Sequence, residues 1–560
     1  VSSMVPQLIE LCYRREIRDA VLCPGSRSAP LTLAFARHGK IHCRTISDER
    51  SAAFMALGIA QASKQPVALV CTSGSAAYNF APAVAEAFFQ QIPLVVLTAD
   101  RPAEWIDQLD GQTIRQGELY GKHVKKYFEL PQDYVHPDAR WHANRIINDA
   151  INLATSDNQG PVHVNAPFRE PLYNIDPPSN TLVRIIDKWH PHSTLTDASL
   201  QELVTELKSF RRILVVAGQQ DYDAPLLKTL RQLHEHTSWV MAGDILSNLH
   251  GLSFFCRSTD AFLGQLTTAD KSTLQPDLLI TFGKSVIAKN LKLFLRAYPA
   301  KQHWHLQAHG ESADTFQQLN RIIPVAANVF FQHLLHQTIP KGDKAYEEQW
   351  TSFETLARTT IKQFLDKQDG GEFKLIYQVM TNLPKGCHLH LANSMSVRYA
   401  NHVGLSADRE DIVVYANRGT SGIDGCTSTA TGHAWVTKAP VVLITGDLAF
   451  FYDRNAFWHK YATPNLRVVL INNHGGIIFN LIDGPAHQPE APEFFITEQK
   501  LNARSLAREF NLAYYDASAA LSTYFGASEQ ACILEIEGSQ EANKKIFEEF
   551  RHNLKQTYGA

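Results

Sequence analysis

Short apolar runs alternate with longer stretches of helical periodicity through the first third of the chain. AVLCPG at 20–25 precedes PLTLAFARHG at 30–39, VALVCTSG at 67–74 precedes AAYNFAPAVAEAFFQ at 76–90, and IPLVVLTADR follows at 92–101. Runs that are apolar without alternation predict strands buried on both faces. Their rotation with helical segments predicts parallel sheets covered by helices on both sides. The pattern breaks at 171–193, which contains Pro177-Pro178 and His190-Pro191-His192, and resumes with a helix near 197–209 and the strand ILVVAG at 213–218. WVMAGDI and DLLITFGKS continue it, QTIPKGDK at 337–344 breaks it again, and CHLHLANS, IVVYANRG, APVVLITGD and LRVVLINN restart it. The expected fold class is α/β, with three successive doubly wound parallel-sheet domains at 1–180, 195–338 and 350–560. In open sheets of this kind ligands sit beyond the carboxyl ends of the strands, so the turns closing these runs are where chemistry is sought.

Composition narrows the class without naming an activity. The 560 residues carry 53 Lys+Arg against 56 Asp+Glu, a formal charge of −3, which gives no general field for nucleic acid or an anionic membrane. The 44% hydrophobic and 19% charged fractions are those of an ordinary globular protein. Eight cysteines without a CxxC pair suggest a reduced, cytoplasmic protein. The opening segment meets Glu10, Arg14 and Arg15 before any apolar run reaches signal-peptide length, and the runs at 92–99 and 439–446 are strand-sized, so neither an export signal nor an integral membrane segment is expected.

The most informative stretch is 446–476. There a strand ends in Gly446-Asp447, a helical segment follows, and a second strand ends in Asn472-Asn473-His474-Gly475-Gly476. Asp447 and Asn473 are 26 residues apart, a spacing that suits a crossover returning a parallel strand beside the first. A carboxylate, an amide oxygen and a backbone carbonyl are hard ligands for Mg²⁺ when phosphate oxygens and water complete the octahedron. The glycines let the backbone approach a diphosphate. Read locally, the same residues also make a plain strand–helix–strand unit with Asp447 as a helix cap.

This stretch resembles the diphosphate motif of the thiamin diphosphate enzyme family, GDx followed some 25–30 residues later by NN. The resemblance implies a domain architecture of that enzyme type, thiamin diphosphate with Mg²⁺ (or Mn²⁺) as cofactors, and Asp447, Asn473 and the Gly475 carbonyl as metal ligands. It also implies a glutamate on another sheet that activates the cofactor, for which Glu49 in ISDERSAAF is the match. By its local setting alone Glu49 reads first as a first-turn acid favoured by the helix dipole. Because Glu49 and Asp447 stand about 400 residues apart, and family sites of this kind form between subunits, a homodimer or homotetramer is expected.

Arginines close several strands: Arg27 after AVLCPG, Arg101 after LVVLTAD, Arg398 in NSMSVR, and Arg418 after VVYAN. Their planar forks suit a substrate with more than one carboxylate, although each alone also reads as a surface arginine. Together PGSRSAPLTLA, SDER, TSG, TADRP, NSMSVR, NRGTSGIDG, GDLAFFYD and NNHGGIIF resemble, in order and across residues 24–479, the branch of the family that works in menaquinone biosynthesis. That branch decarboxylates 2-oxoglutarate and adds the succinyl-semialdehyde carbanion equivalent to isochorismate. The resemblance implies that Ile423 props the bent cofactor, that Ile478 and Phe479 form an apolar wall, and that Gly446 belongs to the diphosphate motif. Ser394 and Arg398 match positions near the oxoacid. Ser26, Arg27, Arg101, Gln112 and Arg418 match the site for isochorismate and the succinyl carboxylates, and Lys289 matches a lysine of the middle domain. Gly111 stands where asparagine is expected, and Asn290 where a second cation is typical. The residues leave open another thiamin diphosphate-dependent decarboxylase or carboligase, and a non-catalytic α/β binding protein. His303 with His305, and His388 with His390, share strand faces but lack a carboxylate at zinc spacing and are expected to be ordinary strand histidines.

Overall fold

The computed structural model describes residues 4–156, 158–176, 183–189, 193–482 and 484–559. Pro177-Pro178 and His190-Pro191-His192 of the expected first linker lie outside them. Three sheets follow one another along the chain, and every strand pair is parallel. The first holds β1 (Asp19–Leu22), β2 (His42–Thr45), β3 (Val67–Cys71), β4 (Leu94–Asp100), β5 (Tyr127–Glu129) and β6 (Val162–Pro167), in the order β2-β1-β3-β4-β6-β5. The middle sheet holds β7 (Ile213–Ala217), β8 (Val240–Gly243), β9 (Leu278–Phe282), β10 (Gln302–Leu306) and β11 (Arg321–Ile323), in the order β11-β10-β9-β7-β8. The third holds β12 (His388–Leu391), β13 (Val413–Tyr415), β14 (Val441–Gly446), β15 (Leu466–Asn472), β16 (Ala513–Asp516) and β17 (Cys532–Glu537), in the order β13-β12-β14-β15-β17-β16.

The continuous apolar runs are explained by burial on two faces. Along β3, Ala68 and Val70 enter one core while Val67, Leu69 and Cys71 enter another. Along β14, Val442 and Ile444 pack on one side and Val441 and Leu443 on the other. A pleat of period two with both faces covered turns neither face to solvent, so the regular alternation of apolar and polar positions is lost. Doubly wound α/β domains, each a parallel sheet covered on both faces, are therefore the observed fold.

The first and third sheets are joined within the chain by a tight helix crossing. Helix Glu49–Ser63 meets helix Cys426–Ala434 where a Cβ on Gly58 would lie 2.0 Å from the Thr429 carbonyl oxygen, and one on Gly432 would lie 2.1 Å from that of Met55. Small residues let the two backbones approach to this distance, which fixes where the start of helix Glu49–Ser63 stands.

Candidate functional site

The two strand ends of the diphosphate motif lie side by side. β14 and β15 pair with Gly446 opposite Ile471, so Asp447 and the Asn472-Asn473 pair emerge at the same edge. The connection is a six-residue helix, Asp447–Tyr452, followed by a 3-10 turn at Arg454–Phe457. Asp447 is 2% exposed; one carboxylate oxygen accepts from the Leu448 N–H at 2.8 Å, and the other from Gln499 Nε2 at 2.7 Å. Burial raises its pKa, and the Gln499 and backbone donors oppose that shift. Gln499 Nε2 also reaches Asn472 Oδ1 at 3.0 Å and so bridges the two strand ends.

Asn473 donates through Nδ2 to Glu372 Oε2 at 3.0 Å, while its buried Oδ1 has no hydrogen-bond partner. An orphaned buried amide oxygen costs roughly 1–3 kcal/mol unless something satisfies it. Gly475, at φ +157°, completes the turn; a Cβ there would lie 2.5 Å from Gln540 Nε2 and 2.9 Å from Ile496 Cγ2. Its carbonyl accepts one bond, from the Ile477 N–H at 3.0 Å, and keeps a second lone pair. A carboxylate, a partnerless amide oxygen and a carbonyl form an all-oxygen donor set that fits a divalent cation such as Mg²⁺. Gly446 has open space on its Cβ side, compatible with close approach of a phosphate. Ile478 and Phe479 follow in the short helix Ile478–Leu481, with Phe479 5.8 Å from the Phe495 ring.

A second group gathers at the ends of β12 and β13. Ser394, in a left-handed backbone conformation at φ 72°, opens helix Met395–Val403, and its carbonyl accepts from Arg398 at 2.6 Å. Asn393 is the organiser. Its Nδ2 donates to the Asn417 carbonyl at 2.7 Å and to the Gly422 carbonyl at 2.6 Å, and its Oδ1 accepts from Arg418 at 2.8 Å. The loop bearing Arg418 and Ile423 is thereby stapled to the Ser394 turn. From the first sheet's side the fully buried Glu86 accepts from Gly419 N at 2.8 Å, Thr420 N at 2.6 Å and Thr420 Oγ1 at 2.7 Å. Burial lowers the pKa of both Arg398 and Arg418, and each also feels the other or a neighbouring ion. Neither has a carboxylate within ion-pair distance among the described residues. Lys292 faces Arg418 electrostatically, and the two line one cavity of about 790 Å³. Lys289 is exposed at the start of the same helix, and Asn290 turns instead to Asp260, its N–H at 2.7 Å from Oδ1.

The third group belongs to the first sheet. Arg27 is buried, donates to the Phe168 carbonyl at 2.9 Å and lies 3.7 Å from Glu170. Burial depresses its pKa first, and the neighbouring Arg101 charge adds to the effect. Arg101 pairs with Asp110 at 2.8 Å and donates to the Gly111 carbonyl at 2.9 Å. Ser26 and Gln112 are exposed, Gln112 with a left-handed φ of 57°. Glu49 is half-buried at the first position of its helix, with Asn79 Nδ2 at 3.5 Å. Asp48 caps that helix and accepts from Asn455 of the third sheet's crossover at 2.8 Å. Among the described residues no hydrogen bond or ion pair links Glu49, Arg27 or Arg101 to Asp447, Asn473, Arg398 or Arg418.

Glu372, Gln499, Asn393 and Glu86 were not singled out from the sequence; Asn393 alone carried a signal, as the residue before Ser394 in a quoted motif. The strand histidines have protein partners: His303 and His305 both bond the Thr281 hydroxyl at 2.8 Å, and His388 meets His433 at 2.6 Å.

Residues 4–124 match the family model "Thiamine pyrophosphate enzyme, N-terminal TPP binding domain", and residues 185–391 match "Middle domain of thiamine pyrophosphate". The chain is 43% identical to the 2-succinyl-5-enolpyruvyl-6-hydroxy-3-cyclohexene-1-carboxylate synthase of Cytophaga hutchinsonii, with 98% of each chain covered. It is 37% identical to that of Flavobacterium johnsoniae over 95% of this chain and 96% of the relative. With that of Phocaeicola vulgatus it shares 34% identity, again over 98% of both.

Proposed function

The chain belongs to the family of 2-succinyl-5-enolpyruvyl-6-hydroxy-3-cyclohexene-1-carboxylate synthases, thiamin diphosphate-dependent transferases of menaquinone biosynthesis, and we infer that the three residue groups described above carry that family's reaction. In it 2-oxoglutarate loses CO₂ and the succinyl-semialdehyde carbanion equivalent is added to isochorismate. Thiamin diphosphate, when bound, supplies the electron sink that this carbanion equivalent requires.

The protein's part is positioning, proton placement and exclusion of water. Asp447, Asn473 Oδ1 and the Gly475 carbonyl would hold Mg²⁺, and Mn²⁺ suits the same oxygens. Glu49 would hold a proton at the aminopyrimidine side of the cofactor. Ile423 would support its bend, and Ile478 and Phe479 would keep water from the reacting carbon. Ser394 and Arg398 would take the oxoacid, while Ser26, Arg27, Arg101, Gln112, Lys289 and Arg418 would receive isochorismate and the succinyl carboxylate. Arg398 and Arg418, which have no carboxylate within ion-pair distance among the described residues, support a dianionic substrate, because an unpaired desolvated cation gains most from a charged ligand.

We take the site to be completed by a second copy, in a homodimer or homotetramer, because among the described residues no hydrogen bond or ion pair links Glu49 to the Asp447 group. We assign the three sheets to pyrimidine-binding (1–180), central (195–338) and diphosphate-binding (350–560) domains. A cytoplasmic setting agrees with eight free cysteines and with the absence, among the described residues, of a helix long and apolar enough to cross a membrane.

The observation that carries the reading is the buried, partnerless Asn473 Oδ1 beside Asp447. The test is an assay with 2-oxoglutarate, isochorismate, thiamin diphosphate and Mg²⁺, which should release CO₂ and form the conjugate. Turnover of pyruvate alone would overturn the substrate assignment, and calorimetry without Mg²⁺-dependent cofactor binding would overturn the site.

A further inference from the structure

The metal-facing group of the third sheet leans on a carboxylate from outside its strands. Glu372 begins helix Glu372–Thr381, is 3% exposed, and has no ion pair among the described residues. Its oxygens are instead filled by neutral donors: Tyr399 OH at 2.6 Å on Oε1, and Asn473 Nδ2 at 3.0 Å and Asn543 Nδ2 at 3.1 Å on Oε2. Asn543 also accepts the Glu372 N–H through Oδ1 at 3.0 Å, so that the carboxylate is clasped at backbone and side chain together.

An ionised carboxylate can only accept hydrogen bonds, whereas an asparagine amide has one face that accepts and one that donates. A carboxylate on one side of Asn473 therefore selects the donating face for itself and turns Oδ1 the other way. That is the oxygen left without a partner. A neutral amide in place of Glu372 would accept either face, and the choice would be lost. We propose that Glu372 is a positioning residue that fixes the orientation of Asn473 so that its oxygen, not its nitrogen, faces the divalent cation. The proposal rests on the assignment of Asp447 and Asn473 as metal ligands. Partners that orient a ligand typically change metal affinity by about 10–100-fold when removed.

The experiment measures Mn²⁺ affinity in the presence of thiamin diphosphate, by electron paramagnetic resonance of free Mn²⁺, for Glu372→Gln, Glu372→Asp, Tyr399→Phe and Asp447→Asn. Glu372→Gln should lose about 10–100-fold in Mn²⁺ affinity, with kcat recovered at saturating metal. Glu372→Asp, charged but shorter, should fall between it and the parent, and decides the matter if the glutamine variant does not fold. Tyr399→Phe leaves the Glu372–Asn473 bond in place and should stay within about twofold of the parent. Parent-like Mn²⁺ affinity in the Glu372 variants, with loss in Asp447→Asn, would overturn the positioning role alone. Parent-like affinity in Asp447→Asn as well would overturn the ligand assignment beneath it. Equal losses in Tyr399→Phe and the Glu372 variants would mark a general packing effect and also overturn the proposal.

Discussion

The first and third sheets have the same topology and carry different chemistry. Numbered within each sheet, both run in the order 2-1-3-4-6-5, so β3 corresponds to β14 and β4 to β15. At the ends of β14 and β15 the third sheet places a buried acid and a buried amide, filled from one side by the neutral donors of Gln499 and Leu448 and, at Asn473, by the acceptor Glu372. At the corresponding ends the first sheet places Thr72-Ser73 and the half-buried Arg101, and its acid Glu49 comes from the turn after β2. One scaffold thus presents a cradle of a buried carboxylate and a partnerless amide oxygen, and the other presents an arginine paired with Asp110 and a half-buried acid that meets Asn79 at 3.5 Å. Topology decides where chemistry can sit, while the turn residues decide what it is.

The sharpest way to break this contrast is at Glu49. Glu49→Gln should keep its helix, whose cap is Asp48, and should bind thiamin diphosphate at parental affinity. Its turnover should fall by about 10³-fold, within the range typical of a lost proton-transfer group; parental rates would remove Glu49 from the chemistry. Asp447→Asn should give the opposite signature. Metal-dependent cofactor affinity should drop on the order of 100-fold, with turnover partly restored by excess Mg²⁺, and unchanged affinity at limiting Mg²⁺ would contradict the ligand assignment.

The two sheets also differed in what their residues disclosed. The strands were legible because the innermost ones, such as β3, β7 and the Val441–Ile444 part of β14, are continuous apolar runs between turn residues, and two-sided burial is the physical cause of that pattern. Asp447 and Asn473 were legible because a fixed spacing ties them to adjacent strand ends. Glu372, Gln499 and Glu86 were not. Each is a polar residue in a helix or loop with nothing local to mark it, and Glu372 meets Asn473 across 101 residues and Glu86 meets Thr420 across 334. Locally Glu372 is one more acid in a first helical turn. Its partners come from packing, which no local pattern encodes. The resemblance to a family supplied Glu49, which spacing could not have separated from a dipole-favoured acid.

The crossing that holds the two sheets together offers a structural test. Gly58→Val would place its Cβ 2.0 Å from the Thr429 carbonyl oxygen and add two methyls beyond it. Overpacking of this kind should cost about 3 kcal/mol, read as a lower denaturation midpoint. It should also shift the start of helix Glu49–Ser63, so that turnover suffers more than Mn²⁺ affinity. An equal loss of both would mean that the crossing serves the cradle as much as Glu49.

The smallest expected effect separates the sheets by acid sensitivity. Where β1 carries Val21, the corresponding position of β12 carries His390, buried to 3% exposure, stacked on Tyr415 at 5.1 Å and edge-on to His433 at 4.6 Å. Burial pushes its pKa down to about 3, and the neighbouring His388 adds to the shift; His433 is depressed in the same direction, by burial first. A histidine held neutral in the fold takes up a proton in the unfolded chain below about pH 6.5. Its contribution is therefore intact above that value and is lost as the pH falls through 6.5 toward 3. His390→Phe keeps a ring on Tyr415 and removes the titration. Its denaturation free energy should fall less steeply from pH 7 to pH 5 than the parent's, by roughly 1–2 kcal/mol at pH 5. Superimposable pH profiles would show that acid lability does not arise at His390, and would direct the search to His433 beside it and to His163 of β6, whose pKa burial likewise lowers to about 3.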